Sequence, residues 1–285
     1  MKFGVRDKIW ITGSTGRLGS TIYRYLDPID CEIVATDKHE VDITNLKEVA
    51  TFTERLRPTV IINASGITKR NECQADPDKA YLLNAVGAKN IAIVANRFHA
   101  KIVQLSTADV FDGKATSPYK EIDEPRPRTI YGKSKFLGEQ FVRDFSDHYF
   151  IVRVSRLYSR ENGLVEDIIS QAKSGEVRVA KDRFSSPTPA FELSKFLIGL
   201  INTNNFGTYH ASCGGVCSQK EFAQEIIDFL GLDAKIKEEN DPSRVDFSPF
   251  YGGIDNYFLK ITKDYEFLEW KLALHEYIKK EGLNG

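Results

Sequence analysis

Five short apolar runs, KIWITG (8–13), EIVATD (32–37), TVIINAS (59–65), KIVQLS (101–106) and YFIVRVS (149–155), are separated by segments of helical pattern. Each run is rich in β-branched residues and lacks polar alternation, as strands covered on both faces do. The intervening helices carry their own start signals. NLKEVATFTERL opens on Asn45 with Glu48 three residues later, and DPDKAYLLNAVGAKNIAIVANRF has Asp76 as a cap with Pro77 at the first helical position. Strand and helix in alternation make right-handed βαβ units, which assemble into a parallel, doubly wound sheet.

Beyond about residue 155 the pattern changes. FELSKFLIGLINT reads as a helix and GTYHAS as a further strand. SQKEFAQEIIDFLG combines a capping box (Ser218, Glu221), an apolar stripe (Phe222, Ile226, Ile227, Leu230) and a Gly231 stop, and WKLALHEYIKK is a last helix. ENDPSRVDFSPFYGGIDN gathers Gly, Pro, Asn and Asp and predicts loops. The expected fold class is α/β, a doubly wound parallel sheet of Rossmann type with a smaller C-terminal α+β substrate-binding lobe. Residues 1–155, with a return segment at about 189–210, would form the first part; 156–188 and 211–285 would form the second.

Charge and composition exclude several classes. A net charge of -1 with no long block of one sign argues against a nucleic-acid partner. No apolar run approaches the roughly 18 residues of a membrane helix, and the N-terminus has no signal-peptide core, so a cytoplasmic protein is expected. Cys31, Cys73, Cys213 and Cys217 show neither disulfide nor zinc spacing, and the histidines are scattered, so no metal is assigned.

The first strand runs into TGSTGRLGS, with glycines at 13, 16 and 19. A strand-to-helix turn beside a pyrophosphate needs positions without a Cβ, so that backbone N–H groups can approach the phosphates. Gly13, Thr15, Gly16, Arg17, Leu18 and Gly19 are therefore candidate cofactor contacts. Asp37, eighteen residues beyond Gly19, can accept from adenosine ribose hydroxyls. The cofactor is NAD(H) or NADP(H), with NAD slightly favoured: a carboxylate repels a 2′-phosphate, which Lys38 and His39 partly offset. Asp42 and Ile43 fall where adenine would lie, and Asn63, Ala64 and Ser65 near the pyrophosphate.

Ligands of doubly wound sheets lie beyond the carboxyl ends of the strands, where Ser106 and Thr107 emerge. Tyr131 and Lys135 stand four residues apart, on one helix face. A phenol with a pKa of about 10 becomes a usable acid–base group when an ammonium favours its phenolate. Tyr131 can then give a proton to a carbonyl oxygen that gains negative charge, with the Thr107 hydroxyl bonding the same oxygen.

TGSTGRLGS, STADVFDG, PYKEIDEPRP and YGKSKFLGE resemble the extended short-chain dehydrogenase/reductases, specifically the dTDP-4-dehydrorhamnose reductase family, as do NASGITKRNECQADPDKAYLLNA, DRFSSPTPAFELS and CSQKEFAQEI. The resemblance implies a Thr107–Tyr131–Lys135 triad, NAD(P)H as hydride donor, and reduction of a 4-keto group on a nucleotide-linked deoxysugar. Departures occur: the family's STDYVFDG is STADVFDG, placing Ala108 and Asp109, its SWYEF tryptophan is Gln219, and its arginine-proline pair is Ser248-Pro249. Candidate substrate contacts are Ser106, Asp109, Arg156, Arg183 and Lys69, with Arg70 and Arg244 as further cations for a diphosphate. An epimerase or dehydratase on the same scaffold remains an alternative, as does a non-catalytic binding subunit like the regulatory subunit of methionine adenosyltransferase. A homodimer is possible.

Overall fold

The computed structural model describes residues 7–26, 31–160, 163–240 and 251–283. In chain order its strands and helices are β1 (Lys8–Thr12), α1 (Arg17–Tyr25), β2 (Glu32–Thr36), α2 (Leu46–Leu56), β3 (Val60–Asn63), α3 (Arg70–Ala75), α4 (Pro77–Tyr81), α5 (Gly87–Arg97), β4 (Lys101–Thr107), α6 (Ile130–Phe145), β5 (Tyr149–Val154) and β6 (Arg156–Tyr158). Then come α7 (Leu164–Lys173), β7 (Glu176–Ala180), β8 (Phe184–Ser185), β9 (Pro187–Pro189), α8 (Ala190–Ile201), β10 (Gly207–His210), β11 (Cys217–Ser218), α9 (Gln219–Leu230), β12 (Lys235–Glu239), β13 (Tyr251–Gly252), α10 (Tyr257–Thr262) and α11 (Trp270–Lys280).

The main sheet has six parallel strands in the order β10-β5-β4-β3-β1-β2. Its inner apolar runs are covered on both faces, while the edge strand β2 keeps Ile33, Val34 and Ala35 half-buried. Ile9, Ile11, Ile62, Val103 and Val152 pack with Ile22 of α1 and Leu193 and Leu197 of α8. Trp10, Ile61, Ile102 and Ile151, the alternate residues of the same strands, pack with Val49 of α2, Ile91 of α5 and Val142 of α6. The strand order reverses between β1 and β3, which opens a crevice at the carboxyl ends of the strands.

The caps behave as their residue types predict. Asn45 accepts from the N–H groups of Lys47 and Glu48, Asp76 from that of Lys79, and Ser218 with Glu221 forms a complete capping box. Gly231 closes α9 with φ 62°.

Three features depart from the sequence pattern. The segment after Asp76 is no uniform helix: a π turn, Leu82–Val86, separates α4 from α5. The short helix α3 precedes it, hidden because RNECQA has no apolar period. Outside the main sheet lie the parallel pairs β7–β12 and β6–β9 and the three-stranded β11-β8-β13. In β12, KIKEE is nearly all charged, so it pairs without a hydrophobic signature. Among the described residues no helix is long and apolar enough to cross a membrane.

Candidate active site

Two adjoining cavities open at the switch point, of about 830 and 280 Å³, and both are lined by Gly16, Ala64, Ser65 and Gly66. The smaller one adds Gly13, Thr15, Asp37, Asp42 and Ile43. Here the glycine turn takes its expected shape. Gly13 has φ +68°, and a Cβ there would stand 2.8 Å from the Ser65 nitrogen; a Cβ on Gly19 would stand 2.3 Å from the Gly13 carbonyl oxygen. The backbone of the turn, the 64–66 loop and α1 thus meet with no room for side chains between them. Gly16 caps α1 with no side-chain hydrogen bond and no acid in the first turn, so the helix N-terminus keeps its N–H groups and positive dipole end for an anion. That cradle fits the pyrophosphate of a dinucleotide.

Within the predicted set the structure makes distinctions. Leu18 is buried and lines the larger cavity. Asp37 Oδ1 accepts the His39 N–H at 2.8 Å, and Asp42 Oδ1 accepts both the N–H and the hydroxyl of Thr44. Asn63 is engaged elsewhere, since its buried amide accepts from Thr12 at 2.8 Å and donates to Gln104 at 2.7 Å, tying together the ends of β1, β3 and β4. It also shapes the loop carrying Ala64 and Ser65, accepting the Ser65 N–H at 3.3 Å. Arg17 begins α1, but its side chain lies outside the described residues, as do Arg244, Ser248 and Pro249.

The larger cavity brings Thr107, Tyr131 and Lys135 together on one wall. Thr107 ends β4, where a 3₁₀ turn (Ala108–Val110) begins, and its Oγ1 accepts the Asp109 N–H at 3.1 Å, leaving the hydroxyl proton to donate. Tyr131 and Lys135 lie in the first turns of α6, which Thr129 caps through the Gly132 N–H at 3.0 Å. Close backbone approach sets this helix in place: a Cβ on Gly132 would stand 2.1 Å from the Asp109 carbonyl oxygen, and one on Gly138 would stand 2.5 Å from that of Asn84. Asn84, in the π turn, bonds the Ile67 backbone through both amide atoms and donates to Ser134 at 3.0 Å. This residue joins the 64–67 loop to α6, a role invisible in the sequence because it depends on the π turn.

Lys135 is buried, and its desolvation draws the ammonium from the ordinary 10.5 down to about 8, against the opposing pull of Glu139 and Cys73. The side chain is therefore charged below about pH 8 and loses its proton as pH rises through that value. If that charge supports turnover, kcat is expected to hold at neutral pH and fall through a single ionisation near pH 8; a flat kcat profile to pH 9.5 contradicts the assignment. In folding the sign is opposite, because a folded pKa below the unfolded one makes the ammonium's burial costly below pH 8 and relieves that cost above it.

Among the expected substrate contacts, Arg156 and Arg183 line the larger cavity, with Arg70 and, unforeseen, Arg178. The carboxylate of Asp109 is committed to Arg70, which grips it in a fork at 2.5 and 2.7 Å. The Ser106 hydroxyl is likewise committed, to Glu139 at 2.5 Å. Lys69 is a surface residue, 78 % exposed and paired with Glu72. At these three positions the polar group already has a partner within the protein: Arg70 for Asp109, Glu139 for Ser106 and Glu72 for Lys69. Gln219 lines the cavity, and its side-chain oxygen accepts the Ala180 N–H at 3.1 Å.

A family model described as RmlD substrate binding domain matches residues 7–282. The spore coat polysaccharide biosynthesis protein SpsK of Bacillus subtilis is 36 % identical over 80 % of this chain and 81 % of its own. Among solved structures, a dTDP-4-dehydrorhamnose reductase from Clostridium acetobutylicum superposes with TM-score 0.91 at 37 % identity, covering 96 % of this chain and 99 % of that one. A dTDP-4-dehydrorhamnose reductase from Bacillus anthracis, in complex with NADP, superposes with TM-score 0.92 at 33 % identity over the same shares.

Proposed function

The chain belongs to the RmlD substrate-binding-domain family and is an NAD(P)-dependent oxidoreductase, and from that premise we propose that it reduces the 4-keto group of a nucleotide-linked deoxysugar. The observation that carries the reading is one continuous crevice: a glycine cradle suited to a dinucleotide opens into a wall bearing Thr107, Tyr131 and Lys135. When bound, the dinucleotide would supply a hydride, two electrons with one hydrogen, to the carbonyl carbon.

The chain's own groups handle the oxygen. Thr107, with its lone pair taken by the Asp109 N–H, donates its hydroxyl proton toward the carbonyl oxygen and holds it in place. Tyr131 donates the proton that the oxygen finally keeps, and the Lys135 ammonium one turn away stabilises the phenolate left behind. Arg156 and Arg183, which line the same cavity, supply cationic donors for a diphosphate. In this division of labour, residues 1–155 with about 189–210 hold the dinucleotide, and 156–188 with 211–285 hold the sugar nucleotide.

The test is oxidation of NADH and of NADPH, followed by loss of reduced-nicotinamide absorbance, against a panel of nucleotide-linked 4-keto-6-deoxysugars. Turnover with at least one member is expected; silence across the panel with cofactor binding confirmed rejects the reading. Asp37 at the end of β2 favours NADH over NADPH in this proposal. Asp37→Ser removes the charge that opposes a 2′-phosphate, and a change of about 1.4 kcal/mol corresponds to a roughly tenfold rise in the NADPH-to-NADH ratio of kcat/KM. An unchanged ratio removes Asp37 from cofactor choice.

A further inference from the structure

Glu139 lies on α6 one turn beyond Lys135 and is completely buried. Its carboxylate accepts from Ser106 Oγ at 2.5 Å, from Arg153 Nε at 2.9 Å and from Arg153 Nη2 at 2.7 Å. Arg143 approaches from the solvent side at 3.6 Å. Ser106 is the β4 residue before Thr107, and in the register of the sheet it stands opposite Arg153 of β5. One side chain of the helix that carries Tyr131 and Lys135 is thereby bound to both strands beneath it.

A buried ion pair is a poor device for stability alone, because apolar residues of similar volume commonly match or exceed it. What it supplies here is geometry and sign of charge at one place. We propose that Glu139 is a positioning residue for catalysis: through Ser106 and Arg153 it locks the Tyr131–Lys135 helix onto the end of β4 that carries Thr107, and its buried negative charge holds the Lys135 ammonium.

The surroundings of Lys135 support that assignment. The groups whose charge acts on it are Glu139 from its own helix and Cys73 from α3. Burial, aided by Glu72, pushes the Cys73 thiol up to about 11, so it is neutral at physiological pH. Asp109 faces Arg70, and Arg153 stands behind Glu139 with its charge compensated there. The charge available to oppose the desolvation of Lys135 is therefore that of Glu139. Ser106 and Glu139 act through their neighbours, which explains why Ser106 lines the cavity while its hydroxyl faces inward.

The proposal rests on reading Lys135 as part of the catalytic set, but its test does not require turnover. Protein carrying ¹³C-labelled lysine is titrated by NMR, with the Lys135 ε-carbon assigned by its loss in Lys135→Arg. In the wild type the midpoint is expected near pH 8. Glu139→Gln keeps the shape and the acceptor oxygen but removes the charge and leaves Arg153 uncompensated, so the midpoint is expected to drop by about one pH unit. Glu139→Gln with Arg153→Met also removes the uncompensated guanidinium, guards against failure of the single variant to fold, and is expected to fall between the two. Where substrate turns over, the alkaline limb of kcat moves with the midpoint. A Lys135 midpoint unchanged from wild type in either folded variant overturns the proposal, whatever happens to activity. If the substrate assignment is wrong, turnover is missing in all three proteins while the shift of the midpoint remains.

Discussion

Tyr131→Phe is expected to lower kcat by about three orders of magnitude while leaving the melting temperature and NAD(P)H affinity close to wild type. A positioned general acid contributes on the order of 10²–10⁴ in rate, and each tenfold step is about 1.4 kcal/mol of barrier. The phenol ring lines the cavity from the first turn of α6, so phenylalanine keeps the packing and removes only the proton donor. Thr107→Val, which takes away a hydrogen bond but not the acid, is expected to cost less, roughly ten- to a hundredfold. Steady-state rates with cofactor binding followed by fluorescence separate these effects. A Tyr131→Phe enzyme within a few fold of wild type would falsify the role assigned to the phenol.

Gly132→Ala tests how the same helix is held. Its Cβ would stand 2.1 Å from the Asp109 carbonyl oxygen, an atom of the buried 3₁₀ turn after β4 that cannot swing aside as a flexible side chain could. Either α6 or that turn must shift, at a cost of roughly 2–3 kcal/mol. For a chain of this size that is a fall of roughly 3–5 °C in melting temperature. Activity should fall too, by about a hundredfold in the molecules that remain folded, because a displacement near 1 Å separates Tyr131 and Lys135 from Thr107. Gly199→Ala is the control: it is a helical glycine of α8 whose Cβ would meet nothing within 4 Å, so a gain of about 0.5–1 kcal/mol is expected from the lost chain entropy. Thermal melts of the two variants should therefore move in opposite directions. A Gly132→Ala protein as stable as wild type would mean that α6 can slide, and the explanation of its placement by backbone contact would fail.

Local chemistry made much of this legible in advance. The five strands were recognisable because a strand covered by other elements is mostly apolar and β-branched rather than alternating with polar residues along its whole length, and the ends of α2 and α9 because Asn45 and the Ser218–Glu221 pair satisfy N–H groups within three residues of themselves. The glycine turn and the Tyr131–Lys135 spacing belong to the same kind of signal. Each involves residues that meet through a single turn or helix, so their order along the chain already determines their order in space.

Several candidate site residues have polar groups whose partners come from elsewhere in the chain. The Asn63 amide is engaged by Gln104, far along the chain, whereas Lys69 pairs on the surface with its near neighbour Glu72. Ser106 and Asp109 are polar and stand at the cavity, yet Glu139 and Arg70 already hold them. Nothing in NECQADPDKAYLLNA marks Asn84 as a link, because that role exists only once the π turn aims its amide at Ile67 and Ser134.

By itself, then, the order of residues determined the parallel sheet, the cofactor turn and the placing of Tyr131 and Lys135 on one helix face, all products of periodicity and short-range spacing. Folding alone decided which polar groups remain available to a ligand, how far α6 stands from β4, and that a buried carboxylate backs Lys135. The reason is physical: hydrogen bonding and desolvation depend on which atoms are within a few ångströms, and for residues tens of positions apart that is set by packing, which no local pattern encodes.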